Sequence, residues 1–163
     1  MNEAPNADMV DFWNGEAPGK WLHFQESMDL SMAPLGAAAM EALGITTGER
    51  VIDVGCGCGG TSFEIAGRVG TDGAVLGLDI SESMLGMARD RAAAGSYKNT
   101  DFSLADAQTH SFDPAAYDVV FSRFGIMFFD QPVAAFENLK SALVSGGRLG
   151  FVCWQAGKYN PWI

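Results

Sequence analysis

A chain of 163 residues with 48% hydrophobic composition is long enough for one domain with a sizeable core. A mean hydropathy of +0.07 excludes general disorder beyond the first few residues. Twenty acids against ten Lys+Arg leave a net charge of −10, which repels a phosphate backbone, so no nucleic-acid partner is expected. Arg89, Arg91 and Lys98 read only as cations complementing one helix end. No apolar run approaches a membrane span, and Met1–Asp8 lacks the basic and apolar parts of a secretory leader, so no membrane partner is expected. Of the three cysteines, Cys56 and Cys58 stand too close for an ordinary disulfide, and the set is too small for a structural zinc site. Reduced thiols, no metal and a cytoplasmic location follow.

Apolar residues recur at helical spacing from Trp21 through Phe24 and Met28 to Leu35, Ala39 and Leu43. Pro34 interrupts them, which predicts two short helices or one broken helix there. Val51–Val54 is an apolar strand ending in a glycine-rich turn. The helix that follows opens with a capping box, Thr61 on the cap amides and Glu64 reaching back, and it ends near Gly70. Ala74–Leu78 is the second strand, Ser81 caps a helix running to about Gly95, and Phe102–Ala105 is the third strand. Tyr117–Phe121 is the fourth. Asp130 then caps a helix with Pro132 in its first turn and an apolar face of Val133, Phe136, Leu139 and Leu143. Gly146-Gly147 closes that helix before a fifth strand, Arg148–Trp154. Strands alternating with helices predict a parallel α/β sheet with helices on both faces and N-terminal helices preceding it.

The turn Asp53-Val54-Gly55-Cys56-Gly57-Cys58-Gly59-Gly60 carries the chemistry. Its glycines accept positive φ and let a ligand lie against the main chain, and the free amides of the following helix suit an anion. Gly55-x-Gly57-x-x-Gly60 also satisfies the dinucleotide fingerprint, and Asp79 stands about 20 residues further on, where such sites keep a ribose acid. The glycines by themselves leave the cofactor open.

Asp53-x-Gly-x-Gly-x-Gly, Val75-Leu76-Gly77-Leu78-Asp79-Ile80-Ser81-x-x-Met84-Leu85 and Ala105-Asp106-Ala107 resemble the first three signature segments of class I S-adenosylmethionine-dependent methyltransferases. Tyr117–Phe129 and Leu143–Leu149 resemble the fourth and fifth. The Ser122-Arg123-Phe124-Gly125-x-Met127-Phe128-Phe129 run, with Cys153-Trp154-Gln155 and Asn160-Pro161-Trp162, is similar to bacterial ubiquinone/menaquinone-biosynthesis methyltransferases. The resemblance covers roughly Trp13 to the terminus.

It implies a Rossmann-like sheet of order 3-2-1-4-5, with one domain over 1–163: a helical lid at 1–47, an α/β core at 48–155 and a tail at 156–163. The antiparallel strands that close such sheets are missing, so the chain reads as a fragment whose exposed sheet edge offers a homodimer contact. Gly55, Cys56, Gly57 and Gly59 would cradle the methionine part of S-adenosylmethionine, with Asp53 helping to fix it and the Ser122 backbone meeting its ammonium. Asp79 would accept both ribose hydroxyls, Ile80 and Met84 would sandwich the adenine, Asp106 would take the adenine amino group and the Ala107 amide a ring nitrogen. The implied reaction is methyl transfer to oxygen, nitrogen or carbon of a small molecule, leaving S-adenosylhomocysteine. Phe124, Phe128 and Phe129 fit either sulfonium shielding or core packing. No motif marks a general base; His23 and His110 are the imidazoles, and Tyr97, Tyr117 and Tyr159 the phenols. The alternatives are a cofactor-binding fragment without catalysis and an NAD-dependent oxidoreductase.

Overall fold

The computed structural model describes residues 5–160. Pro161, Trp162 and the end of the expected 156–163 tail lie outside the described residues. Three helices open the fold: α1 (Ala7–Asn14), α2 (Ala17–His23) and α3 (Gln25–Leu43). β1 (Arg50–Val54), α4 (Gly60–Val69), β2 (Ala74–Asp79), α5 (Glu82–Gly95), β3 (Thr100–Leu104), β4 (Tyr117–Arg123), α6 (Pro132–Ala142) and β5 (Leu143–Val152) follow. The strands form one parallel sheet in the expected order, β3-β2-β1-β4-β5. β3 and β5 are its edges.

Successive residues of β1 point to opposite faces, and each face has its own core. Val51 joins Met40, Ile65, Val69 and Phe121 beneath α3 and α4. Ile52 and Val54 join Leu78, Val120, Leu139 and Ala142 beneath α6. Burial on both faces explains why β1 reads as a continuous apolar run. Its parity also puts Asp53 on the α4 side, and the order places the ends of β1 and β2 side by side. Ligands bind above such a reversal of strand order.

The structure corrects several local expectations. The N-terminal break falls at Phe24, whose amide closes α2 on the Lys20 carbonyl at 3.0 Å, and α3 runs straight through Pro34. Pro34 is exposed, so water can hydrate the carbonyl one turn back that it deprives of a partner. The capping box does not form: α4 starts from Gly59 without a side-chain cap, Thr61 points to Asp53, and Glu64 pairs with Arg68 at 2.9 Å. Ser81 is the N-cap of α5, but its hydroxyl meets that of Ser83 at 3.3 Å and caps no backbone amide; the Glu82 amide instead donates to Asn14 Oδ1 at 3.1 Å. α6 buries Ala135, Leu139 and Ala142, leaves Val133 73% exposed, and starts from Gln131, not Asp130. Gly146-Gly147 does not end that helix. Tyr117 opposes Leu143 while Val119 opposes Arg148, so residues 144–147 bulge out of β5, with Gly146 at φ 82°. Arg91 is not a solvated helix-end cation; it reaches Asp29 at 3.1 Å and the Cys58 carbonyl. Among the described residues no helix is long and apolar enough to cross a membrane.

Candidate functional site

The loop after β1 is built on three left-handed glycines, Gly55, Gly57 and Gly59. The amides of Gly55 and Cys56 both donate to the Leu78 carbonyl, at 2.8 and 3.0 Å, which pins the loop to the end of β2. Asp53 holds it from behind: its Oδ2 accepts the hydroxyls of Thr61 at 2.7 Å and Ser62 at 2.6 Å. The carboxyl is fully buried and its Oδ1 has no partner. Burial pushes the Asp53 carboxyl above its ordinary value, opposed by the two hydroxyl bonds. Burial likewise pushes the Cys56 thiol up, and the Cys58 thiol up to about 11. Both loop thiols are therefore protonated at neutral pH, serving as small packing groups and not as nucleophiles.

The raised Asp53 carboxyl has a pH signature. A group protonated more readily in the folded state than at its unfolded value near 3.8 stabilises fully below that pH, and the contribution is lost as pH rises through the folded value. Asp53→Asn cannot titrate. The unfolding free energy of wild type relative to Asp53→Asn is therefore expected to be most favourable at about pH 4 and to decline toward pH 8. Urea titrations across that range measure it, and a constant difference would contradict the burial of charge.

In front of the loop lies a cavity of about 210 Å³ whose wall includes Gly55, Cys56, Gly57, Asp79, Ile80, Met84, Asp106 and Ala107. Eight of the expected cofactor residues thus share one space. Asp53, Gly59 and Ser122 stand behind that wall; the Ser122 hydroxyl donates to the Val54 carbonyl at 2.8 Å and accepts the Gly125 amide at 3.2 Å. Asp79 Oδ2 accepts the Gly57 amide at 2.7 Å and its Oδ1 the Ser81 amide at 2.9 Å. Burial raises the Asp79 carboxyl against those amides. Asp106 Oδ1 accepts the Gln108 amide at 2.9 Å, while its Oδ2 is buried and unpartnered. Asn138 stitches this turn by donating to the Ala107 and His110 carbonyls, at 2.9 and 2.8 Å.

The remaining wall includes Phe124, Phe128 and Phe129, the expected aromatic run, together with residues given no role from the sequence, among them Asn6, Trp13 and Asp29. Asn14 Nδ2 donates to the Ile80 carbonyl at 2.8 Å, and Asn6 Oδ1 accepts the Asp130 amide at 3.1 Å, so α1 is tied across the mouth at both ends. Between those ties Trp13 packs on Trp21 at 6.1 Å and edge-on to Phe128 at 5.5 Å. Phe124, held at φ 65°, stacks on Trp154 at 4.0 Å. Asp29 of α3 takes Arg91 and Arg123, each at 3.1 Å. Apart from Trp13–Trp21, these contacts join residues distant in sequence; the local signals were Arg123, Phe124 and Phe128, inside the fourth family segment. His23 is exposed against Phe24, and His110 packs edge-on to Phe112 at 4.7 Å; neither lies on the cavity wall. Among the described residues no group of three or more His, Cys, Asp or Glu is placed to hold a metal ion.

Comparison with known proteins agrees with this geometry. Residues 45–153 match the family described as a methyltransferase domain. The chain is 34% identical over 118 residues to the aklanonic acid methyltransferase of a Streptomyces species, covering 72% of this chain and 54% of the relative. It is 36% identical over 111 residues to the ubiquinone/menaquinone biosynthesis C-methyltransferase of Cellvibrio japonicus, covering 68% and 45%. The chain spans about half the length of these relatives. A phosphoethanolamine N-methyltransferase of Haemonchus contortus, solved in complex with S-adenosyl-L-methionine, superposes with a TM-score of 0.69 at 25% identity, over 79% of this chain and 31% of that one. The match across the loop, the two strand-end acids and the fifth strand makes this chain a member of the methyltransferase-domain family.

Proposed function

We propose that the chain binds S-adenosylmethionine above the ends of β1–β4 and directs its methyl group to oxygen, nitrogen or carbon of a small molecule with a flat, apolar body. The observation that carries this reading is the buried, unpartnered Asp106 Oδ2 on the same cavity wall as Asp79 and the glycine loop. A buried acceptor without a donor costs about 1–3 kcal/mol, and the adenine amino group is a donor that would relieve it. Asp79 has lone pairs to spare for two ribose hydroxyls beyond the two amides it already accepts. The cradle also fits: a Cβ on Gly57 would come within 2.9 Å of Met84 Cε. Ile80 and Met84 line the adenine position, the Ala107 amide faces its ring edge, and Asp53, Gly59 and Ser122 shape the loop from behind.

When bound, S-adenosylmethionine supplies an electrophilic methyl on sulfur and leaves as S-adenosylhomocysteine. The protein's own work is to align the acceptor and exclude water. Trp13, Trp21, Phe128 and Trp154 give the open side of the cavity an aromatic lining, which favours a planar apolar acceptor over a polyanion. A module that holds the cofactor without turnover is the second reading, favoured by the absence of both imidazoles from the wall. β5 is an edge strand among the described residues, with Phe151 46% exposed, and self-association there is part of the proposal. Three free cysteines suit a reducing cytoplasm.

Calorimetry with S-adenosylmethionine and NAD, followed by a methyl-transfer screen over planar apolar acceptors, tests the proposal. Binding of the first alone, with turnover, is expected. Binding without turnover of any acceptor selects the module; affinity for NAD alone overturns the cofactor assignment.

A further inference from the structure

We propose that Asp29 and Arg123 together read the zwitterionic amino-acid end of the cofactor, Asp29 taking its ammonium and Arg123 its carboxylate, and thereby couple α3 of the lid to an occupied site. The inference rests on the cofactor reading above and gives the ammonium to Asp29, in place of the Ser122 backbone, which lies behind the cavity wall.

The sheet order sets the direction in which the ligand lies. Asp106 follows β3, Asp79 ends β2, the glycine loop follows β1 and Arg123 ends β4, in neighbouring positions across the sheet. Three strand intervals of about 4.8 Å separate the first from the last, a span comparable with an extended adenosyl amino acid. With the unpartnered Asp106 oxygen at the adenine end, the amino-acid end falls at the glycine loop and Arg123.

An ion pair already stands there. Arg123 Nη2 donates to Asp29 Oδ1 at 3.1 Å, and both residues line the cavity beside Gly55, Cys58 and Thr61. The Arg123 side chain is only 14% exposed, passing under α3 where Gly36 leaves room: a Cβ there would meet Arg123 Cδ at 3.4 Å. The Asp29 carboxylate rests against Gly60, the first residue of α4, and a Cβ at that position would overlap it. It is also held by Gln25 and by Arg91 Nη2. Arg91 is itself committed elsewhere, to the Cys58 carbonyl and over the Phe63 ring at 5.2 Å. Arg91 and Gln25 can therefore keep Asp29 in place while Arg123 turns to a ligand carboxylate. An α-amino acid carries one charge of each sign and matches the pair charge for charge, so the partly desolvated cavity is left with no unpaired ion. The bidentate fork of arginine suits a carboxylate.

A purely structural clasp for the lid would make the same contacts in the absence of ligand, so the test compares two ligands that share the adenosine part. S-Adenosylhomocysteine carries the amino-acid end and 5′-methylthioadenosine lacks it. In calorimetry on the 163-residue chain, Arg123→Gln and Asp29→Asn are each expected to weaken S-adenosylhomocysteine at least tenfold while leaving 5′-methylthioadenosine within about twofold. Near-UV circular dichroism checks the fold of each variant. Should Arg123→Gln not fold, the isosteric Asp29→Asn decides. Equal weakening of both ligands would reduce the pair to a lid clasp and overturn the inference, as would unchanged S-adenosylhomocysteine binding. Failure of the wild type to bind either ligand would instead remove the cofactor reading on which it rests.

Discussion

Asp79→Ala is expected to lower S-adenosylmethionine affinity about a hundredfold while leaving a folded protein. Two hydrogen bonds from ribose hydroxyls to a charged acceptor contribute about 1.5 kcal/mol each at the lower end of their range, and about 3 kcal/mol in all is close to a factor of 100. The substitution also releases the Gly57 and Ser81 amides that Asp79 accepts at 2.7 and 2.9 Å. Gly57 lies on the cavity wall, where water can replace the carboxylate, and burial already penalises the ionised acid there. The loss should therefore appear in binding more than in melting temperature. Calorimetry beside a thermal melt of the same sample separates the two. Unchanged affinity would remove the ribose assignment, and collapse of the fold would mean that Asp79 is chiefly a loop anchor.

The parts of the site legible in the sequence were those encoded within a few residues of one another. A strand buried on both faces, a turn needing left-handed backbone and an acid at a strand end each leave a local trace, so Val51–Val54, Gly55–Gly59 and Asp79 were readable and fell together in space. The N-terminal helices were expected, but what they touch was not readable, because their contacts are long-range: Asn14 meets Ile80 across 66 residues, and Asp29 meets Arg123 across 94. No periodicity records such pairs. Local rules also failed where tertiary contacts overrode them. Thr61 is a good capping residue, but α4 is capped by Gly59, two residues earlier, so Thr61 lies inside the first turn and its hydroxyl donates to the buried Asp53 carboxyl instead. Val133 is more hydrophobic than Ala135, yet the alanine is fully buried and the valine exposed, because the face of α6 that carries Leu139 and Ala142 turns to the sheet. Pro34 breaks helices in general, but on the solvent side of a 19-residue helix its missing bond is left to water.

The largest loss of stability is expected from Gly55→Ala, at the point where two backbones touch. A Cβ on Gly55 would stand 2.6 Å from the Gly125 Cα, and one on Gly125 would stand 2.5 Å from the Val54 carbonyl oxygen. The turn after β1 and the turn after β4 are thus in direct main-chain contact, which neither can relieve by a rotamer change. Gly55 also sits at φ 68°. Overpacking of about 1–3 kcal/mol and a left-handed penalty of about 1 kcal/mol act together, for roughly 2–4 kcal/mol, or about 5–15 °C in a domain of this size. Two other glycines separate the contributions. Gly48 has φ 86° but open space around its Cβ, so Gly48→Ala should carry the left-handed penalty of about 1 kcal/mol alone. Gly67 lies exposed within α4 with nothing near its Cβ, so Gly67→Ala should stabilise by about 0.5–1 kcal/mol. Thermal melts should rank Gly67→Ala above wild type, then Gly48→Ala, then Gly55→Ala. A Gly55→Ala protein melting no lower than Gly48→Ala would mean that the two turns can separate without loss, and that backbone contact does not hold the cofactor loop in place.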